Sequence, residues 1–293
     1  MSKDTAIQWC DSTVNPVMGC DGCELWTRDR RTCYAGVLHE RYGPTKGYAR
    51  KFETPEEFPG RMAKAAKWSP LQMHPRPGKP WLDGLPRLVF VSDMGDALSA
   101  GIGFDYLLRE VVEVARSPMG RRHRWIWLSK RPTRMREFYL WMLERGIAWP
   151  MNLWPMTSVT GRRTMLRASA LKDIGPPGVV RGISFEPLEG APDWDFCLGP
   201  REEGPAGEVV QRPVAWAIFG GEFGQNPQTT PMGPFRAGVA ACRVHGVAAF
   251  VKQLGARPIG LSIEGRLADS HGGDWSEWPA DLRVREMPRE ASR

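Results

Sequence analysis

Short apolar runs recur along the chain, each closing on charged or hydroxyl-bearing residues. They are RLVFVSDMGD at 87–96, RWIWLSKRP at 124–132, NLWPMTSVTG at 152–161, VVRGISFEP at 179–187, VAWAIFGGE at 214–222 and GVAAFVKQLG at 246–255. Runs this short and this apolar have the pattern of strands buried on both faces of a parallel sheet. Pro155 cannot donate to a ladder, which weakens the third run as a central strand. Between the runs lie helical patterns. Phe104, Leu107, Leu108, Val111, Val112 and Ala115 fall on one face at helical spacing, as do Met135, Phe138, Tyr139, Met142 and Leu143. Thr133 is the expected N-cap of the second helix and Gly146 its stop. Phe235, Val239 and Cys242 mark a shorter helix, with Pro234 in its first turn and Gly246 past its end. Residues 162–174 carry a weaker helical pattern.

A first strand is expected somewhere in 6–18. Strand alternating with helix implies βαβ units and an α/β fold with a parallel sheet. The expectation is a parallel (β/α) barrel, complete or partial. A doubly wound open sheet is the alternative, lowered because no GxGxxG follows the first strand. The whole chain, 1–293, reads as one barrel domain. Its expected insertions are the proline-rich stretch 44–86, with one helix at GRMAKAAKW, and 187–213, which contains GPREEGPAGE; 262–293 reads as an irregular C-terminal tail.

In a parallel barrel the chemistry sits at the carboxyl ends of the strands, where the βα loops meet. Those ends carry Ser92, Asp93 and Asp96; Ser129, Lys130 and Arg131; Thr157 and Ser158; Ser184 and Glu186; Gly220, Gly221 and Glu222; Lys252 and Gln253. Any one of them can be a loop cap or a solvated group. The set together exceeds what solubility requires. In FGGEFG, two adjacent glycines allow a close backbone approach to a ligand, and the carboxylate behind them can hold an ammonium or hydroxyl group. An ordinary tight turn with an exposed glutamate remains the alternative.

Charge and composition narrow the classes. The net charge of +7 and pI near 9.2 lean toward polyanionic partners, with Arg121–Arg124 (RRHR) the densest basic spot. A solvated basic surface is the plainer reading of the same numbers. No apolar run nears the ~20 residues that cross a bilayer, and the N-terminus has no signal-like apolar core. A cytoplasmic protein with no membrane partner is therefore expected. Thirteen tryptophans suit a base-stacking surface or a large core. Six cysteines, three of them clustered, read as metal ligands more readily than as a disulfide framework.

Cys20, Cys23 and Cys33 follow C-x2-C-x9-C, and Cys33 opens an expected helix, CYAGVLHERYG. A thiol at a helix N-terminus ionises more easily, and the thiolate is the ligand form. Structural zinc wants a fourth ligand, for which His39, Cys10, His74 and His245 are the candidates. Three thiolates without a fourth suit a [4Fe–4S] cluster with one iron open to S-adenosylmethionine. A site without metal is the third possibility. Cys10, Cys197 and Cys242 read as incidental buried thiols.

The motifs STVNPVMGC…CYAG, VFVSDMGDAL, WLSKRP, TSVT, SFEPLEG, FGGEFG, FVKQLG and GGDWSEWPADLRVREMP occur in that order over about residues 6–288. Together they resemble the phage gene-product 37/68 family, a group similar to radical S-adenosylmethionine enzymes. The resemblance implies a [4Fe–4S] cluster on Cys20, Cys23 and Cys33, with Cys23 standing in for a middle cysteine that relatives carry where this chain has Arg30. It implies S-adenosylmethionine as cofactor, an external electron donor, and a nucleic-acid substrate modified or repaired by hydrogen abstraction. The residues expected to serve this chemistry are Asp93, Lys130 and Glu186 as catalytic groups. Ser184, Gly220, Gly221 and Glu222 are expected at the cofactor, and Arg131 and Lys252 on substrate phosphate or carboxylate. A GGE sequence holds the methionine amine in radical enzymes but follows an early strand there, and a late one here. Two rival readings stay open: a zinc-stabilised nucleic-acid-binding protein without catalysis, and a metal-free barrel hydrolase with Asp93 and Glu186 as acid and base.

Overall fold

The computed structural model describes residues 1–45, 47–200, 213–224, 226–261 and 267–290. Most of the expected excursion GPREEGPAGE, along with residues 262–266 and 291–293 of the expected tail, lies outside the described residues.

Every apolar run contains a strand. They are β1 (Ser12–Val14), β2 (Arg87–Val91), β3 (His123–Ser129), β4 (Leu153–Ser158), β5 (Gly182–Phe185), β6 (Trp216–Gly220) and β7 (Ala248–Gln253). They form one seven-stranded sheet in strictly sequential order. The registers of β1 with β2, β2 with β3, β4 with β5, β5 with β6 and β6 with β7 are all parallel. A doubly wound sheet reverses its strand order at a switch point. This order has no reversal, which is the winding of a partial parallel β/α barrel. Pro155 is tolerated within β4 because its pairing with β5 starts one residue later, at Met156 opposite Gly182.

The helices are α1 (Tyr34–Tyr42), α2 (Arg61–Ala66), α3 (Phe104–Leu107), α4 (Glu113–Arg116), α5 (Pro132–Glu144), α6 (Leu166–Lys172), α7 (Trp194–Leu198) and α8 (Met232–His245). The periodic stretch 104–115 is helical throughout, but Leu108–Val112 widens into a π-turn joining α3 to α4. The N-cap of α5 is Arg131 rather than the expected Thr133, because Pro132 takes the first helical position, where its missing N–H costs nothing. No helix among the described residues is long and apolar enough to cross a membrane.

The chain gathers into two compact units, Met1–Pro155 and Met156–Arg293. In the first, Trp125 and Trp127 are fully buried, and Trp127 stacks on Trp149 at 6.0 Å between ring centres. The proline-rich stretch 44–86 is anchored by long cationic side chains. Arg76 pairs with Asp11 (2.8 Å) and donates to the carbonyls of Leu82, Leu85 and Pro86. Lys79 Nζ donates to the carbonyls of Thr5, Ile7 and Cys10.

In the second unit, Phe185 stacks on Phe219 at 5.3 Å, against Trp194 and Phe235. Buried Arg181 caps the carbonyls of Ile174, Gly175, Pro176 and Val179. The described tail holds two short 3-10 turns, Trp275–Glu277 and Ala280–Leu282, and runs along β7. Val251 donates to Val284 O and Glu286 to Ala249 O, each at 2.8 Å, so the last strand of the sheet has its edge covered. Arg285 lies over the rings of Trp275, Trp278 and Phe250. Trp154, Trp216 and Trp278 are also fully buried, so these tryptophans serve the core.

Candidate functional site

The first unit brings its strand ends onto the cysteine loop. After β1 the chain forms a two-residue antiparallel contact, Val17–Met18 with Glu56–Glu57, and enters the loop at Gly19. Gly19 has φ +87° and meets Gly95, which follows β2: Met94 O accepts the Gly19 N–H, and Gly19 O accepts the Asp96 N–H. A Cβ on Gly95 would lie 2.3 Å from Gly19 O, so only glycine permits this approach. Cys33 is the N-cap of α1, as its place in the sequence predicts. Cys20 and Cys33 pack on one apolar cluster of Met18, Trp26, Ala35, Ala49, Phe52 and Met94. The loop between is stapled by Trp26, whose Nε1 donates to Glu53 and whose ring carries the Arg31 guanidinium at 4.6 Å.

Burial dominates the electrostatics of the first two thiols. Burial pushes the Cys20 thiol up to about 11, Asp96 and Cys23 add to that, and Arg131 opposes it. Burial likewise raises Cys23, where Lys130 opposes and Glu24 and Cys33 add. The cation opposing burial at Cys20 is in contact with it, since Arg131 Nη1 lies 3.6 Å from its Sγ. Among the described residues no three or more His, Cys, Asp or Glu side chains are grouped so as to hold a metal ion. In donor chemistry the loop fits a thiolate-ligated group: three thiols within fourteen residues, partly buried, the first of them in contact with Arg131. The zinc reading needs a fourth ligand. His39 is buried with Nε2 at 2.8 Å from Ala49 O, and Cys10 is fully buried. His245, in the second unit, pairs with Asp195.

Asp96 organises this end of the sheet. Its carboxylate is 5% exposed and accepts from Ser129 Oγ (2.8 and 2.9 Å), the N–H groups of Leu98 (3.0 Å) and Lys130 (3.1 Å), and Arg131 Nη1 (3.0 Å). Arg131 continues from Asp96 to the loop: Nη1 lies 3.6 Å from Cys20 Sγ, while Nη2 donates to Gly22 O (2.7 Å) and to the Asp21 carboxylate. Burial works to lower the Arg131 pKa, but Asp96, Cys20 and Asp21 outweigh it and hold the guanidinium above its ordinary value. Arg131, expected on substrate, thus has both terminal nitrogens on the protein's own groups. The sequence offers Asp96 only as one of the polar strand ends and gives no sign of Asp21. A pairing across more than thirty residues leaves no mark in local spacing.

Asp93 takes hydrogen bonds from Asn15 (2.5 Å) and Thr13, while Asn15 Oδ1 accepts the Met94 N–H. Tyr34, beside Cys33, donates to Asp93 O. Burial nevertheless raises the Asp93 carboxyl above its ordinary value. A carboxyl raised in the folded state costs stability above its folded pKa and nothing below its unfolded one near about 3.9. Asp93→Asn is therefore expected to raise the urea midpoint at pH 7, with the gain fading as pH falls through the folded value and absent by about pH 3. A wild-type–variant difference that is flat from pH 3 to 8 would contradict it.

The basic spot Arg121–Arg124 lies elsewhere. It enters the amino end of β3, about 20 Å along the strand from Ser129–Arg131. His123 is fully buried, and both its ring and the Arg122 guanidinium meet Ala66 O.

The second unit has its own polar cluster at the ends of β5, β6 and β7. Lys252 Nζ donates to Glu186 Oε1, with both side chains 18% exposed. Gln253 Nε2 donates to the same oxygen (3.3 Å) and to Gly221 O (2.6 Å). The space beside Gly220 is taken by Glu186: a Cβ there would lie 2.8 Å from Glu186 Cδ. A Cβ on Gly221 would lie 2.4 Å from Leu254 O. The glycine pair thus admits Glu186 and the β7 backbone, where the sequence suggested room for a ligand. Glu222 is 7% exposed rather than solvated, and its Oε2 accepts the Gln228 N–H. Ser184 is buried at the end of β5. Lys252, expected on substrate, has its charge answered by Glu186.

No curated protein matches the chain, and no solved structure does. The family described as "Protein of unknown function (DUF5131)" matches residues 4–279, a span that takes in both clusters, and the chain belongs to that family.

Proposed function

We propose that the protein is an iron–sulfur enzyme of the radical S-adenosylmethionine type, as its resemblance to the phage gene-product 37/68 family implies. One observation carries the reading: Cys20, Cys23 and Cys33 are free, partly buried thiols of one loop after the first strand of a parallel sheet, and Cys20 and Cys33 pack on the same apolar cluster. In this reading Cys20, Cys23 and Cys33 would hold a [4Fe–4S] cluster. When bound, it would supply one electron, taken from an external donor, for the reductive cleavage of S-adenosylmethionine. The chain's part is to seat and orient. Gly19 and Gly22, both at positive φ, turn the loop sharply around Cys20. The charge of Lys130 opposes the upward push of burial on the Cys23 thiol. Asp93, hydrogen-bonded by Asn15, is the carboxyl of the first unit that burial raises above its ordinary value. On the second unit, Glu186, Lys252, Ser184, Gly220, Gly221 and Glu222 supply the polar groups read as catalytic or ligand-binding. The substrate in this reading is nucleic acid, supported by the net charge of +7 and the resemblance.

The test is anaerobic loading of the full chain with ferrous iron and sulfide, then S-adenosylmethionine and dithionite, with 5′-deoxyadenosine followed by chromatography. The wild type is expected to bind iron and acid-labile sulfide and to release 5′-deoxyadenosine. The triple Cys20→Ser, Cys23→Ser, Cys33→Ser variant is expected to do neither. A loaded cluster that never yields the nucleoside removes the mechanism. Zinc uptake without iron or sulfide favours the non-catalytic binder.

A further inference from the structure

We infer that Arg131 is a positioning residue for the thiol centre: its N–H···S contact to Cys20 and its grip on Asp21 and Gly22 set the environment of one ligand sulfur. This rests on the iron–sulfur reading above and goes beyond it by naming what tunes the centre.

The argument begins at the end of β3. Arg131 is the N-cap of α5, and its backbone N–H donates to Ser129 Oγ (2.9 Å), which itself donates to Asp96. The side chain therefore leaves a rigid strand-to-helix junction. A guanidinium presents its donors in a fixed planar fork. Here Nη1 serves Asp96 Oδ2 (3.0 Å) and Cys20 Sγ (3.6 Å), and Nη2 serves Gly22 O (2.7 Å) and the Asp21 carboxylate. Cys20 is thus held from the residues that follow it and from its own sulfur. Two carboxylates, Asp96 and Asp21, flank the guanidinium and fix its plane; their charge is the reason a cation sits there stably.

A donor on a ligand sulfur draws electron density from it, so the reduced, more negative state of a bound cluster is favoured. Loss of that donor shifts the reduction potential negative. Lysine keeps the charge but is a point donor on a flexible stem and cannot span Asp96, Cys20 and Gly22 together.

The experiment uses the full chain loaded anaerobically with ferrous iron and sulfide, as wild type, Arg131→Lys and Arg131→Met. Iron and sulfide content, the visible spectrum, the electron paramagnetic resonance signal of the reduced form and a potentiometric titration are recorded. The wild type is expected to hold about four irons per chain. Arg131→Lys is expected to load, to show an altered resonance signal and to titrate at a more negative potential, with Arg131→Met further in the same direction. Should Arg131→Met fail to fold, the lysine variant carries the test alone. A wild type that takes up no iron and sulfide overturns the iron–sulfur reading. A loaded wild type whose potential and signal are unmoved by the substitutions overturns only the role given to Arg131.

Discussion

Asp96→Ala is expected to destabilise the protein by about 3–5 kcal/mol, the range for removing one partner of a buried, hydrogen-bonded ion pair. The carboxylate is 5% exposed, and the Arg131 side chain it faces is 18% exposed. Truncation leaves a guanidinium with one carboxylate instead of two, and it orphans the N–H groups of Leu98 and Lys130 together with Ser129 Oγ. Each orphaned donor carries its own desolvation cost of roughly 1–3 kcal/mol where water cannot reach it. The measurement is the urea midpoint at constant slope, since a changed slope would report a changed compactness rather than a lost interaction. A double-mutant cycle sharpens it. Arg131→Ala combined with Asp96→Ala should cost clearly less than the two single changes added, because the second removes a charge the first has already stranded. Additive costs would mean that the two groups do not depend on each other, and the thiol loop would then need another anchor.

The same pair shows what sequence reading reaches and where it stops. The strands were legible because two-sided burial leaves short unbroken apolar runs, and each run from Leu88 to Val251 contains one. The carboxyl ends were legible because every run closes on polar residues at the point where a parallel sheet turns outward. The position of Cys33 at the start of α1 was legible too, from CYAG opening a helical stretch. What those polar groups do to one another was not. Arg131 reads from the sequence as a cation waiting for a phosphate; in the fold it is occupied by Asp96 and Asp21, from two other loops. Gly220 reads as space for a ligand; in the fold the Glu186 carboxyl fills that space. RRHR reads as a basic patch; in the fold its histidine is core, and it lies at the opposite end of β3 from the cysteines. In each case the residue type was informative and its partner was not, because the partner is set by tertiary pairing and leaves no periodic trace. The π-turn at Leu108–Val112 is a smaller instance: the apolar spacing of a helix survives one extra residue in a turn, so the pattern alone cannot reveal it.

Arg76→Ala is the second large effect, again about 3–5 kcal/mol. The Arg76–Asp11 pair is among the most buried in the chain, with side chains 8% and 6% exposed. Asp11 does double duty: Oδ1 takes Arg76 Nε at 2.8 Å, and Oδ2 takes the N–H of Leu88, within β2, at 2.8 Å. Removing the guanidinium strands that carboxylate one residue before β1 and frees the carbonyls of Leu82, Leu85 and Pro86. Two segments that the sequence presents as separate, the approach to β1 and the proline-rich stretch 44–86, are joined by this one side chain and by Lys79 on the Thr5, Ile7 and Cys10 carbonyls. The loss should consequently appear as cooperative destabilisation of the fold, seen as a lower urea midpoint and as faster hydrogen exchange at the β1 and β2 amides. Arg76→Lys should recover only part of it, since a lysine cannot hold Asp11 and three carbonyls with one ammonium. If exchange quickened in residues 70–86 alone while β1 and β2 stayed protected, the stretch would be an appendage, and Arg76 would be no part of what carries the chain into the thiol loop.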